Sequence, residues 1–322
     1  MDGLLTMLGR GVDTVLDRSV VGGYPRWGLA LRRRLPDWPA DVAPDAMAGR
    51  SAVVTGASSG LGTAAAAALA RLGATVHLVV RDTEKGERVR ADLAAAVPDA
   101  TLRVWRCDVS DLDDVTRFAE SFGAVDVLIH NAGLLPAERT TSKQGHELTL
   151  ATHVLGPLRM TELLRPALRA SGDARVVWVS SGGMYGQRLP VGDPEYTEGE
   201  FTGAAAYART KRIQVALAPV LARRWAPDGI GVHVMHPGWA DTPGVAGSLP
   251  GFHRVTERVL RDVDDGADTM VWLAAVTPPP ASGLFWHDRA PRPTHLLPWT
   301  RHDEPARRAM FDWCVAAAGL TR

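Results

Sequence analysis

The sequence predicts a single α/β domain: a doubly wound parallel sheet of about seven strands flanked by helices, over residues 49–322, preceded by an N-terminal arm over residues 1–48. Three observations carry this. From Ser51 onward, short runs rich in Val, Ile and Leu alternate with longer helical stretches. The short runs are apolar at successive positions, as strands covered by helices on both faces must be. The 322 residues, 46% apolar and 22% charged, suffice for one large domain with a sizeable core.

The elements follow in order. The arm contains WGLALRRRLPDWPADVAP, in which Arg32, Arg33 and Arg34 sit among aliphatic and aromatic residues. The favoured expectation is an arm that packs on the main domain or on a second subunit. A basic amphipathic segment touching membrane is the alternative. Prolines between 36 and 44 mark the linker. SAVVT is the first strand, followed by an Ala-rich helix over 63–72, good helix-forming composition. ATVHLVV is the second strand and 83–96 the next helix. LRVWRC and VDVLIH are strands on either side of the helix DLDDVTRFAESF. Helical residues 144–170 lead to the strand RVVWVSS, and 204–225 lead to IGVHVMHP. Residues 266–276 lead to a last short strand near GLFWH. Residues 240–262 carry Gly244, Gly247, Pro250 and Gly251 and are expected to form a mobile lid. A C-terminal tail closes the chain.

Composition excludes several classes. Basic and acidic residues balance at 36 each, so no nucleic-acid partner is expected. Cys107 and Cys314 have no metal-ligand spacing, and no metal is expected. No run approaches the ~20 apolar residues of a membrane span, and the first residues lack a secretory pattern. A cytoplasmic protein is the expectation.

The first strand runs into TGASSGLG, residues 55–62. Gly56, Gly60 and Gly62 allow a tight turn, and the following helix aims its positive N-terminus at the same place. A glycine-rich string between a strand and a helix is the context of a dinucleotide loop in a Rossmann-type fold. Ser58, Ser59 and Leu61 complete it. An NAD site usually ends the second strand with an acid for the ribose 2′-hydroxyl. Here that position is Val80, followed by Arg81, whose guanidinium suits a 2′-phosphate. Asp82 one residue later keeps NAD(H) open, and NADP(H) is favoured.

Together with TGxxxGxG, the strings NAG at 131–133, the strand-end Ser181, Tyr207-x-x-x-Lys211 and Pro237-Gly238 resemble the short-chain dehydrogenase/reductase family over about 51–287. VSSGGM, HPGWADTPGV, PGFH and GADTM are closer still to its retinol-dehydrogenase-like branch, the group of family member 12. The resemblance implies an enzyme that moves a hydride between NADP(H) and a carbonyl or alcohol, as a carbonyl reductase or alcohol dehydrogenase does. It implies that Asp108 and Val109 sit by adenine, that Asn131, Ala132 and Gly133 line the adenine ribose, and that Thr242 bonds the nicotinamide carboxamide. It also implies that Lys211 holds the nicotinamide ribose. The family often dimerises through its long helices, so a homodimer is open, as is a monomer.

Tyr207 and Lys211 are four apart on one predicted helix and share a face. A phenol near ~10 is a poor base at neutral pH, and an adjacent ammonium stabilises its phenolate. Tyr207 can then serve as general acid or base, with Ser181 polarising the substrate oxygen. Ser181 fits the family serine better than Ser180. The family's relay asparagine, in N-x-L-G, is replaced here by His153 in HVLG. The expectation is that His153 partly substitutes for it by holding the relay water through a ring N–H; a ring that simply packs against the helix and weakens turnover is the other reading. The alternative is a cofactor-binding regulatory or scaffold protein with weak catalysis. Trp239, Phe252 and Phe285 are expected at the pocket and point to a lipophilic small-molecule substrate, with GDPEYTEGEF on its rim. Trp178, Trp225 and Trp272 are expected in the core.

Overall fold

The computed structural model describes residues 2–242, 244, 247 and 250–321, with side chains from Met7 onward except those of Pro250 and Phe252. The expectation that Phe252 lines the pocket therefore lies outside the described residues, as does part of the expected lid.

The strands are β1 (Ser51–Thr55), β2 (Thr75–Val80), β3 (Thr101–Arg106), β4 (Val127–His130), β5 (Ala174–Val179), β6 (Ile230–Met235), β7 (Leu284–His287) and β8 (Ala290–Pro291). Their order is β3-β2-β1-β4-β5-β6-β7-β8, parallel except for the β7–β8 pair. This is one strand more than expected. The extra strand is two residues long, contains Pro291, and is too short to leave a pattern in the sequence.

β4 and β5 are buried along their whole length, whereas edge strand β3 has only exposed and half-buried positions. Two cores follow, one on each face of the sheet. One gathers Trp178, Trp225, Leu155, Leu158 and Phe118, and the other gathers Leu69, Val76, Ile129, Met270 and Trp272. The three tryptophans expected in the core are in it. The Ala run is buried too, so its small side chains matter for close helix packing on Val263–Ala275 as well as for helix propensity.

The arm holds three helices, α1 (Asp2–Arg18), α2 (Val20–Gly23) and α3 (Arg26–Arg32). They are joined to the domain by buried ion pairs. The Arg32 guanidinium reaches Asp13 at 2.7 Å and Asp288 at 2.6 Å. Arg261 reaches Asp288 at 2.6 Å, and Arg292 reaches Asp13 at 2.6 Å. Burial pushes the Asp288 carboxyl up, but His287, Arg261 and Arg32 outweigh it and hold it far below the usual carboxylate range. Each carboxylate is shared by two arginines, whereas Arg261 has Asp288 as its one acidic partner among the described residues, so removing Asp288 would strand a buried guanidinium.

The main-domain helices begin with α4 (Gly60–Arg71), α5 (Thr83–Ala96) and α6 (Leu112–Ala119). The helix expected over 144–170 starts at Leu148, runs through a π-helical segment Ala151–Leu155 and continues as Gly156–Ser171. Such wide turns collect at functional sites, and His153 stands in this one. Gly203–Trp225 is the helix of Tyr207 and Lys211. The strand order reverses between β1 and β4, and a cavity opens at the carboxyl ends of these strands, where doubly wound sheets bind ligands.

Candidate active site

The phosphate loop is locked from below by Thr55 and Asn131. The Thr55 hydroxyl donates to the Ile129 carbonyl and accepts from the backbone N–H groups of Asn131 and Ala132 at 3.0 and 3.1 Å. The Asn131 amide donates to the Thr55 and Gly56 carbonyls at 3.1 and 3.3 Å. Asn131 therefore clamps the loop, a finer role than the lining expected of it. Gly62 is required for this fit: a Cβ there would lie 2.3 Å from the Gly56 carbonyl oxygen and 2.5 Å from the Asn131 amide. Ser59 caps α4 without a side-chain bond to its N–H groups, which leaves the helix N-terminus to an anion.

This loop floors a cavity of about 690 Å³. Gly56, Ser58, Ser59, Gly60, Leu61, Arg81, Asp108, Val109, Asn131, Ala132, Gly133, Ser181, Tyr207, Lys211, Pro237, Gly238 and Thr242 all line it. Two of the expected site residues do not. Gly62 acts from beneath the loop, and His153 is fully buried behind the wall.

At the β2 end, Val80 is buried and Arg81 is exposed. Asp82 is the N-cap of α5, its carboxylate accepting from the Lys85 N–H at 3.0 Å. The acid that left NAD(H) open is thus occupied in capping and does not line the cavity. Lys85 does line it. The sequence reading missed Lys85; its position in the first turn after Arg81 was the available signal. One carboxylate oxygen of Asp108 accepts from both the N–H and the hydroxyl of Ser110, leaving the other for a ligand.

Lys211 is buried, and its Nζ donates to the Val179 carbonyl at 2.7 Å. Burial pulls its ammonium down to about 7. The Nζ lies 5.2 Å from the Tyr207 ring centroid. Burial raises the Tyr207 phenol, and a hydrogen bond with Ser181 acts against that. The Ser180 hydroxyl donates to the Lys211 carbonyl at 3.0 Å and is fully buried. Ser181 is half-buried, accepts from the Gly183 N–H at 3.2 Å and shares a hydrogen bond with the Tyr207 phenol. Of the two serines, Ser181 is the one whose hydroxyl meets Tyr207 at the cavity.

The expectation for His153 is corrected. The Leu134 N–H donates to His153 Nε2 at 3.1 Å, so the ring proton sits on Nδ1. Nδ1–H in turn donates to Thr210 Oγ1 at 2.8 Å, and that hydroxyl donates to the Tyr207 carbonyl. Burial, then the charge of Lys211, holds the imidazole well below its usual range and neutral. Both nitrogens are spoken for, and no ring N–H is left for a relay water. The ring stands edge-on to Tyr207 with centroids 5.3 Å apart.

Leu134, Leu135, Ala204, Ala208 and Trp239 form an apolar wall of the same cavity. Phe285 does not join them. It is buried and stacks on His236, with centroids 5.5 Å apart, because strand β7 points it into the core. Nor do residues 192–201 form the rim. The Glu195 carboxylate binds His146 and the Glu147 N–H, and Asp193 holds Arg209, so this segment straps the loop beside the cavity. The described residues include no metal-binding cluster of His, Cys, Asp or Glu, and no described helix is long and apolar enough to cross a membrane.

A glycine cradle that a Cβ would fill, an open helix N-terminus, and two cations beside a buried valine fit a dinucleotide carrying a 2′-phosphate. Comparison with known proteins identifies the family. The family described as short chain dehydrogenase matches residues 50–250. Dehydrogenase/reductase SDR family member 12 of Bos taurus is 41% identical over 268 residues, covering 80% of this chain and 83% of that protein. A solved protein from Mycobacterium paratuberculosis superposes with a TM-score of 0.70 at 28% identity, over 87% of this chain and 96% of its own. A Beutenbergia cavernae structure with bound NADP, designated an NAD(P)-dependent gluconate 5-dehydrogenase, superposes with a TM-score of 0.59 at 28% identity, over 72% and 92% of the two chains.

Proposed function

Given that the chain belongs to the short-chain dehydrogenase/reductase family, in the branch of family member 12, we propose that it is an NADP(H)-dependent oxidoreductase acting on a carbonyl or alcohol of a lipophilic small molecule. The observation that carries the reading is the convergence of Ser181, Tyr207 and Lys211 with the phosphate loop and the Arg81–Lys85 pair on one cavity.

The nicotinamide, when bound, supplies the hydride in reduction or accepts it in oxidation. The residues of the chain do the rest. The Ser181 hydroxyl donates to the substrate oxygen and polarises the carbon–oxygen bond. Tyr207 gives its phenolic proton to that oxygen in reduction, or takes it in oxidation. The Lys211 ammonium, close to the ring and shielded from water, favours the phenolate left behind. Arg81 and Lys85 would hold the 2′-phosphate, and the Ser59–Leu61 turn would hold the pyrophosphate. Leu134, Leu135 and Trp239 favour an apolar substrate body.

His153 takes no part in proton transfer in this reading. It positions Tyr207 through Thr210 and through its edge contact. The same geometry favours the second reading in one respect, because the family's relay position offers no free donor. Tyr207→Phe separates the two. Expected is a loss of turnover of lipophilic ketones with NADPH by at least about a thousandfold, the order at which general acid catalysis contributes, with NADPH binding kept. Wild-type protein that binds NADPH but reduces no ketone or aldehyde would instead support the non-catalytic reading.

A further inference from the structure

Helix α1 is inside-out. Its inward face presents Gly9, Asp13 and Asp17, and the two carboxylates are taken by Arg32 and Arg292. Its outward face presents Met7, Leu8, Val12 and Val15, of which Met7, Leu8 and Val15 are 71%, 60% and 68% exposed. The spacing from 8 to 12 to 15 places these on one stripe of the helix. The next turns of the arm continue the pattern, with Val20, Val21, Trp27 and Leu31 exposed. Ordinary surface helices do the reverse, and exposed apolar residues gathered in one element mark an interaction site.

The charges around this stripe choose the partner. Arg10, Arg18, Arg26 and Arg34 are exposed, and none has an ion-pair partner among the described residues. The only acids between Met7 and Arg34 are Asp13 and Asp17, and both are consumed on the inner face. From Met7 to Arg34 the outer face is therefore apolar and cationic, with no acidic residue of that stretch left to compensate it. Two copies meeting through it would set arginine against arginine. An apolar stripe flanked by arginines, with an exposed tryptophan, matches instead the boundary between anionic headgroups and acyl chains.

We propose that the outer face of the N-terminal arm is a docking surface for an anionic lipid bilayer, with α1 lying along the surface and its apolar stripe in the headgroup layer. The 17 residues of α1 span about 25 Å along that surface. The arm is also tied to the cavity rim. The Tyr24 carbonyl accepts from the Trp239 N–H at 3.0 Å and from Arg261 Nε at 2.8 Å, and Trp239 lines the cavity. Docking through the arm therefore anchors the membrane beside the substrate opening.

The test is co-sedimentation of the full chain with vesicles of phosphatidylcholine alone and of phosphatidylcholine mixed with phosphatidylglycerol. Binding is read without turnover, so its outcome is separate from that of the proposed enzymatic function. Expected is binding to the mixed vesicles that weakens with salt. Arg10→Gln and Arg18→Gln should each weaken it by about fivefold. The double variant Leu8→Glu/Val15→Glu should abolish it. These positions are exposed, so the melting temperature and NADPH affinity of the variants should stay at wild-type values. Binding no tighter to the mixed vesicles than to phosphatidylcholine, or binding unchanged in the double variant, overturns the proposal. So does a concentration-dependent dimer, without vesicle binding, that the double variant disrupts, since that outcome gives the face to a second copy.

Discussion

Removing the two cations beyond β2 should change which nicotinamide dinucleotide is held, and the structure sets the size of the effect. Arg81 is exposed, lines the cavity, and makes no ion pair among the described residues. Its whole charge is available to a ligand. A hydrogen bond to a charged group contributes about 1.5–3 kcal/mol, and solvent screening at an exposed site argues for the lower half. Arg81→Ala should then weaken NADPH by about 10–30-fold, at roughly 1.4 kcal/mol per tenfold. Lys85, a point charge on a longer and more mobile stem, should add about fivefold. NADH carries no 2′-phosphate, so its affinity should move by less than about twofold, within the usual scatter of surface substitutions. The assay is a titration of wild type, Arg81→Ala and Arg81→Ala/Lys85→Ala with each reduced dinucleotide, read by energy transfer from tryptophan. Repeating it at higher salt should shrink the wild-type preference for NADPH. Equal losses for the two dinucleotides, or a wild-type preference for NADH, would refute the assignment of these cations to the 2′-phosphate.

Two further predictions concern the catalytic helix. Burial lowers the folded pKa of Lys211 to about 7, from an unfolded value of 10.5. Between those values the unfolded chain holds the extra proton, so this group adds stability as pH rises from about 7 toward 10. The melting temperature of wild type relative to Lys211→Met should therefore climb over that window without cofactor, and a flat difference would show that Lys211 is not titrating there. His153→Ala removes the acceptor for the Leu134 N–H and the donor to Thr210 and leaves a void behind Tyr207. It should cost about 2–4 kcal/mol of stability and lower kcat at little change in NADPH affinity. If His153→Asn raised turnover at least tenfold with an unchanged melting temperature, a positioning role for the imidazole would be lost.

The sheet and the cofactor loop were legible in the sequence because the signals for both are local. Strands buried on both faces read as apolar runs, and a loop whose backbone must approach a phosphate reads as glycines between a strand and a helix. Tyr207 and Lys211 were legible because four residues of helix fix their relative placement. What depends on chain segments far apart was not. Asp82 is the local exception, since whether it faces the ribose or caps α5 turns on the direction of one side chain toward an N–H three residues on. Phe285 lies on a strand whose residues alternate between two buried faces, so its type alone could not tell core from pocket. His153 could be aligned with the family's asparagine, but only the fold brings Leu134, 19 residues away, and Thr210, 57 residues away, onto its two nitrogens. The arm illustrates the same division. Its sequence shows apolar and basic residues close together, while the inward turn of Asp13 and Asp17 is decided by Arg32 and Arg292, the latter 279 residues from Asp13. Residue type and spacing determined which chemistry this chain carries. Tertiary contacts decided which groups keep a free proton or an open face, because a hydrogen bond to a distant partner consumes a donor that no local pattern can show to be taken.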